Sequence, residues 1–179
     1  MQTVPFGKTG FNVSRLGVGL SEIGSQLSVS DQDQATTMMN TALDSGINFL
    51  DTSACYGISE MMVGKGMADR RDDYFLATKA GHIALGAAGE EWTYQTVVDS
   101  IERSLRLLHS DHVDLVQLHS RGIHVLDRGD VIRALQASQD AGKTRFFGYL
   151  GYNEAAHWPV DSGLFSTLQT TSNLFAQRP

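Results

Sequence analysis

The sequence predicts an α/β fold: a parallel (β/α)8 TIM barrel truncated to about six β/α units, with an N-terminal β-hairpin. Three observations predict it. Short apolar runs alternate with stretches of helical periodicity, and the connections are too long for hairpins, which argues for parallel strands with right-handed crossovers. Three successive strand ends deliver reactive side chains: Asp51 and Tyr56 after 47–50, Lys79 after 75–78, and His119 after 113–118. The C-terminal end of a parallel barrel is where its chemistry is done. The strand count reaches only about six by Pro179, whereas a complete barrel has eight and about 250 residues. The expectation is one incomplete barrel domain over 1–179, with the hairpin in 1–15 and barrel units one to six in 16–179.

The elements follow in order. Residues 1–16 hold two short extended pieces around Gly7-Lys8-Thr9-Gly10, a hairpin pattern, and 16–20 is the first barrel strand. Ser30 opens a helix, with Asp33 three residues on as a weak capping box. Ala35, Met38, Met39, Ala42 and Leu43 continue at helical spacing until Gly46. The second strand is 47–51. Ser59 caps a helix with Met62, Val63, Gly66 and Met67 on one face, and 74–78 is the third strand. A Gly- and Ala-rich loop fills 80–91. Thr93 starts a helix carrying Val97, Ile101, Leu105 and Leu108, before the fourth strand at 113–118. Asp130 caps a helix with Val131, Ala134 and Leu135 that closes near Gly142. The fifth strand is 145–149, a helical stub at 153–158 is stopped by Pro159, and the sixth strand is 167–171.

Composition narrows the function classes. A net charge of -6 argues against general nucleic-acid binding. A single cysteine, Cys55, forbids an internal disulfide and fits a reducing, cytoplasmic setting. No signal peptide is read at the N-terminus, and no apolar run approaches the roughly 20 residues that span a bilayer, so no membrane partner is expected. Among the six histidines, His112 and His119 stand at opposite ends of one strand, roughly 20 Å apart at about 3.3 Å per residue, so no metal site is expected. Gly17-Val18-Gly19 begins like a dinucleotide fingerprint, but Gly24 comes too late for its spacing. Cys55 reads as a small buried thiol.

The chain resembles the aldo-keto reductase family. The resemblance is carried by Leu16-Gly17-Val18-Gly19, Gly46-Ile47-Asn48-Phe49 with Asp51-Thr52, Tyr56-Gly57-Ile58-Ser59-Glu60, and Ala77-Thr78-Lys79. It continues through Ser104-Leu105, 111–119, Gly142-Lys143 before Gly148, and Gln169 with Asn173. These matches keep the family's order along essentially the whole chain, which corresponds to about two thirds of a family member.

The resemblance implies a barrel of aldo-keto reductase type whose N-terminal hairpin plugs its bottom. It also implies an oxidoreductase that reduces aldehyde or ketone carbonyls to alcohols with NADPH, NAD being the less favoured cofactor. Carbonyl reduction needs a hydride donor, which no side chain supplies, and a proton donor on the same oxygen. The resemblance makes Tyr56 the proton donor, Lys79 its partner, Asp51 the lysine's anchor and His119 the group that orients the carbonyl. It places Gly19, Leu20, Ser21, Asp51, Gly151 and Gln169 around the cofactor. Each residue taken singly has a blander reading as a cap, rim aromatic, solvated cation or packing histidine. Their concentration at three strand ends reverses that balance.

Two departures stand out. Leu150 occupies the position of a family serine that binds the nicotinamide carboxamide, and the family segment that grips the cofactor phosphates has no counterpart. They favour the alternative of a non-catalytic binding or regulatory protein that retains the reductase fold, or an inactive fragment. The intact tetrad favours the enzyme. Open barrel edges make self-association a further expectation.

Overall fold

The computed structural model describes residues 1–83, 88–119 and 122–174. Strands β1 (Thr3–Pro5) and β2 (Asn12–Ser14) form an antiparallel hairpin. Six strands then pair in parallel and in chain order: β3 (Val18–Gly19), β4 (Phe49–Asp51), β5 (Phe75–Ala80), β6 (Val113–His119), β7 (Thr144–Leu150) and β8 (Thr167–Gln169). Helices follow most of the strands: α1 (Ser21–Gln26), α2 (Gln32–Asp44), α3 (Ser59–Met67), α4 (Tyr94–Leu108), α5 (Ile123–Asp127), α6 (Asp130–Asp140) and α7 (His157–Ser162). This is the incomplete parallel barrel that the alternation predicts. Of the loop expected over 80–91, residues 84–87 lie outside the described residues.

Two apolar layers hold the sheet. Outside it, Met39, Met62, Val63, Val97, Ile101 and Leu135 bury the helices against residues such as Leu76, Val116 and Leu118. This is the stripe-on-sheet burial that fixes a β/α unit. Inside it, at the strands' N-terminal end, the hairpin's Phe6 and Phe11 meet Phe49, Phe75 and Phe146. Phe6–Phe49 and Phe11–Phe75 centroids lie 5.0 and 4.6 Å apart, edge to face. Such pairs add about 0.5–1.5 kcal/mol each beyond area burial. The hairpin therefore plugs the barrel floor. Just beside it, buried Asp114 binds Arg71 at 2.7 Å, Arg145 at 3.1 Å and the Leu76 N–H at 2.8 Å, tying β5 to β6 below the site.

Several local expectations change. The capping box belongs to Ser28 and Asp31 around a 3-10 turn, not to Ser30 and Asp33, and α2 starts only at Gln32. Ser59 is inside α3, where its hydroxyl serves other strands' ends, and Gly129 rather than Asp130 precedes α6. Pro159 does not stop a helix: it lies in the first turn of α7, where a missing N–H costs nothing, and the helix runs on to Ser162. Thr93 does cap α4, accepting from the Thr96 N–H. Gly46, at φ +87, ends α2 as expected.

The edges of the sheet are β3 and β8, which do not pair with each other. Leu168 on β8 and Leu164 before it are 38% and 44% exposed. Unpaired parallel edges invite further strands. The 179-residue chain by itself is therefore expected to self-associate, and light scattering should report a mass above the monomer's. A cooperative monomer would contradict this.

Candidate active site

Asp51 is the last residue of β4, and Lys79 lies near the end of neighbouring β5. The parallel register sets Asp51 beside Ala77, two residues before Lys79, so both side chains rise from one face of the sheet. The Lys79 Nζ donates to Asp51 Oδ1 at 2.7 Å and to the Thr52 carbonyl at 2.9 Å. The lysine side chain has no exposure and Asp51 has 12%, so this is a buried ion pair at the sheet's C-terminal mouth.

Tyr56 arrives from the turn after β4. Its ring centroid lies 4.8 Å from Lys79 Nζ and 6.1 Å from the His119 ring, which ends β6. The turn is held from both sides. The Ser59 hydroxyl donates to the Leu20 carbonyl at 2.9 Å and bonds Thr52 Oγ1 at 2.8 Å. Gly57 adopts φ +51, and Gly24 of α1 lies so close that a Cβ there would sit 1.8 Å from the Tyr56 carbonyl oxygen. Gly24→Ala is accordingly expected to push α1 off the Tyr56 turn. Its cost should be about 1–3 kcal/mol, the usual range for overpacking, read as a lower urea midpoint. An unchanged midpoint would mean that the contact bears no load.

Behind the mouth, Glu60 accepts from Thr78 Oγ1 at 2.6 Å and faces Arg103 at 3.6 Å, while Arg103 also reaches the Ala54 carbonyl at 3.4 Å. Burial raises the Glu60 carboxyl above its usual range, against the opposing influence of the nearby Ser104 and Thr78 hydroxyls and the pull of Arg103.

His119 is half-buried, and its pKa is lowered from 6.5 to about 4, chiefly by burial, with Lys79 and His82 adding repulsion. It is a neutral imidazole at neutral pH. The linkage has a definite sign. The unfolded chain takes up this proton first, so stability falls as pH drops below 6.5 towards 4. Cys55 is exposed, not buried, and its Sγ lies 3.5 Å from His119 Nδ1.

Sequence reasoning missed one neighbour of this histidine, His82, and the two residues that hold it. The His82 ring is 5.1 Å from that of His119 and 4.8 Å from Trp92, and Glu91 binds His82 Nδ1 at 3.0 Å. The signal available was Gly81 followed by His82, three residues beyond Lys79.

The residues expected around a cofactor share the mouth less uniformly. Gly19 is exposed at the end of β3, Leu20 is fully buried with its N–H on the Asp51 carbonyl, and Ser21 begins α1. Gly151 follows β7, with its N–H on the Gln169 carbonyl. The Gln169 amide bridges two strands, accepting from Gln117 Nε2 at 2.7 Å and donating to Asp51 Oδ2 at 3.3 Å. Gly19, Asp51, Gln117 and Gln169 line one cavity of about 540 Å³ on the open side of the sheet. Gln117 Oε1 and Thr167 Oγ1, both lining it, are buried without a partner among the described residues. Polar groups of that kind fit a carboxamide such as that of nicotinamide. Arg15 is the one cation in the described lining, too little for a pyrophosphate. Leu150, 7% exposed, offers no hydrogen bond from its side chain. Among the described residues no three His, Cys, Asp or Glu side chains are grouped to hold a metal, and no helix is long and apolar enough to cross a membrane.

Comparison with known proteins identifies the family of the chain. The model of the aldo/keto reductase family matches residues 15–158. The chain is 39% identical over 152 residues to the L-galactose dehydrogenase of Arabidopsis thaliana, covering 81% of this chain and 47% of that protein. Its structure superposes on an aldo-keto reductase of Bacillus halodurans in its holo form with a TM-score of 0.82 at 27% identity, covering 96% of this chain and 58% of that one. For the glycerol dehydrogenase of Gluconobacter oxydans the TM-score is 0.78 at 27% identity, over 98% and 56%. The chain spans about half the length of the curated relatives it matches.

Proposed function

Because the chain belongs to the aldo/keto reductase family, we propose that its mouth performs the NADPH-dependent reduction of aldehyde or ketone carbonyls to alcohols. One observation carries the reading: the Lys79–Asp51 pair, fully buried on the lysine side, lies beneath the Tyr56 ring at the C-terminal ends of adjacent strands.

Each residue then has a part. Tyr56 holds the proton that the carbonyl oxygen takes up, with the Lys79 ammonium 4.8 Å from its ring centroid. Asp51 fixes that ammonium at 2.7 Å. His119, neutral through burial, can donate one ring N–H to the carbonyl oxygen without placing a second cation beside Lys79. A bound nicotinamide supplies the hydride. Asp51, Gln169, Gly151 and the Gly19–Ser21 backbone would hold its ring end, NADPH being the preferred form and NADH the less favoured one.

The test is aldehyde-dependent consumption of NADPH. It should be run on the 179-residue chain and on a fusion that supplies the later β/α units of a longer relative. The fusion is expected to turn over. A fusion that binds NADPH yet reduces no aldehyde in a broad panel would overturn the reading.

A further inference from the structure

We propose that Arg103 is a positioning residue for the reduction: by bridging the Ala54 carbonyl and the Glu60 carboxyl, it clamps the turn that carries Tyr56 to the strand that carries Lys79. This rests on the carbonyl-reduction reading above.

The clamp starts from a rigid helix. Val97, Ser100, Ile101, Ser104 and Leu108 bury one stripe of α4, and Arg103 stands at its margin with 27% of its side chain exposed. Helix α3 lies directly against α4, since a Cβ at Gly64 would sit 2.0 Å from the Leu107 carbonyl oxygen. Glu60 and Arg103 each stand one helical turn before that contact, so their side chains meet nearer the mouth on the same two faces. Arg103 Nη1 lies 3.6 Å from Glu60 Oε2, and it donates to the Ala54 carbonyl at 3.4 Å.

Both arms of this bridge end beside the reacting pair. Ala54 is buried in the turn just before Tyr56. Glu60, also buried, accepts from Thr78 Oγ1 at 2.6 Å, and Thr78 immediately precedes Lys79. The backbone of 53–55 otherwise bonds only inside its own turn. The Tyr56 N–H donates to the Ser53 carbonyl at 3.0 Å, and the Cys55 N–H to Ser53 Oγ at 3.4 Å. Among the described residues, Arg103 is thus the one side chain from another element that hydrogen-bonds this backbone. A general acid works only from the right place, and small displacements of it are costly in rate.

Arg103 also has a purely electrostatic effect. With Lys79 it draws the buried Glu60 carboxyl toward its charged form, against burial. Removing the guanidinium leaves that carboxyl without its partner, which destabilises the fold whatever Tyr56 does. Glu60→Gln lifts this burden and keeps an oxygen to accept from Thr78.

Variants of the fusion separate the two effects. Arg103→Met should lower kcat by about ten- to a hundredfold, with KM for the aldehyde and NADPH affinity close to the parent's. Arg103→Met with Glu60→Gln should regain the urea midpoint but not kcat. Arg103→Lys keeps the charge but not the planar fork, and should recover kcat in part. A kcat unmoved by Arg103→Met, or restored in the double variant, would overturn the clamp while leaving carbonyl reduction intact. If the fusion reduces no aldehyde, the functional reading fails, and the 179-residue chain still tests the clamp. There, hydrogen exchange at the Tyr56 N–H, relative to the Val116 N–H in the sheet, should quicken by about tenfold in the double variant, the size of one lost hydrogen bond. A ratio unchanged from the parent's would overturn it.

Discussion

Tyr56→Phe is expected to lower aldehyde reduction by the fusion between about a hundred- and ten-thousandfold, the range that a positioned general acid contributes. NADPH affinity should stay close to the parent's. The substitution removes one hydroxyl and keeps the ring whose centroid lies 4.8 Å from Lys79 Nζ. Proton donation acts in the transition state, so kcat should carry the loss. Steady-state kinetics alongside fluorescence titration of NADPH separates the two effects. Full turnover would remove Tyr56 from its role and require another group, such as His119, to supply the proton.

The second large effect is on stability. Asp51→Asn leaves the Lys79 ammonium, with no side-chain exposure, facing the Thr52 carbonyl, the Tyr56 ring and a neutral amide. Breaking one side of a buried pair costs about 3–5 kcal/mol, because the remaining charge stays desolvated. The urea midpoint of Asp51→Asn should drop accordingly, and Asp51→Asn with Lys79→Met should be milder than Asp51→Asn alone. A loss below about 1 kcal/mol, the size of an exposed pair, would mean that Lys79 reaches water.

The parts of this molecule that were legible beforehand are those fixed by periodicity or by dense local signals. Val97, Ile101 and Leu108 mark α4, and all three are buried on one face. The strand ends at Asp51, Lys79 and His119 could be placed because a strand's last residues define the sheet's mouth. What escaped was contact between segments distant in sequence. Ser59 looked like a cap because serine before an apolar run usually is one, yet its hydroxyl bonds the Leu20 carbonyl, 39 residues away. Pro159 looked like a stop because proline breaks helix interiors, but its place in the first turn is harmless. Cys55 looked buried because most free cysteines are, whereas the Tyr56 turn carries it to the surface. The His82–Glu91–Trp92 cluster was invisible because Trp92 takes a left-handed backbone that no propensity foresees.

The central claim is that Asp51, Tyr56, Lys79 and His119 form a carbonyl-reducing site served by a nicotinamide. The most direct measurement is isotope transfer. The fusion is incubated with an aldehyde and with NADPH deuterated at the transferring carbon of the nicotinamide ring, and the alcohol is analysed by mass spectrometry. The account predicts one deuterium on the carbinol carbon of the product, and its near-complete loss in Tyr56→Phe. Alcohol formed without deuterium, or no alcohol from a fusion shown to bind NADPH, would contradict it.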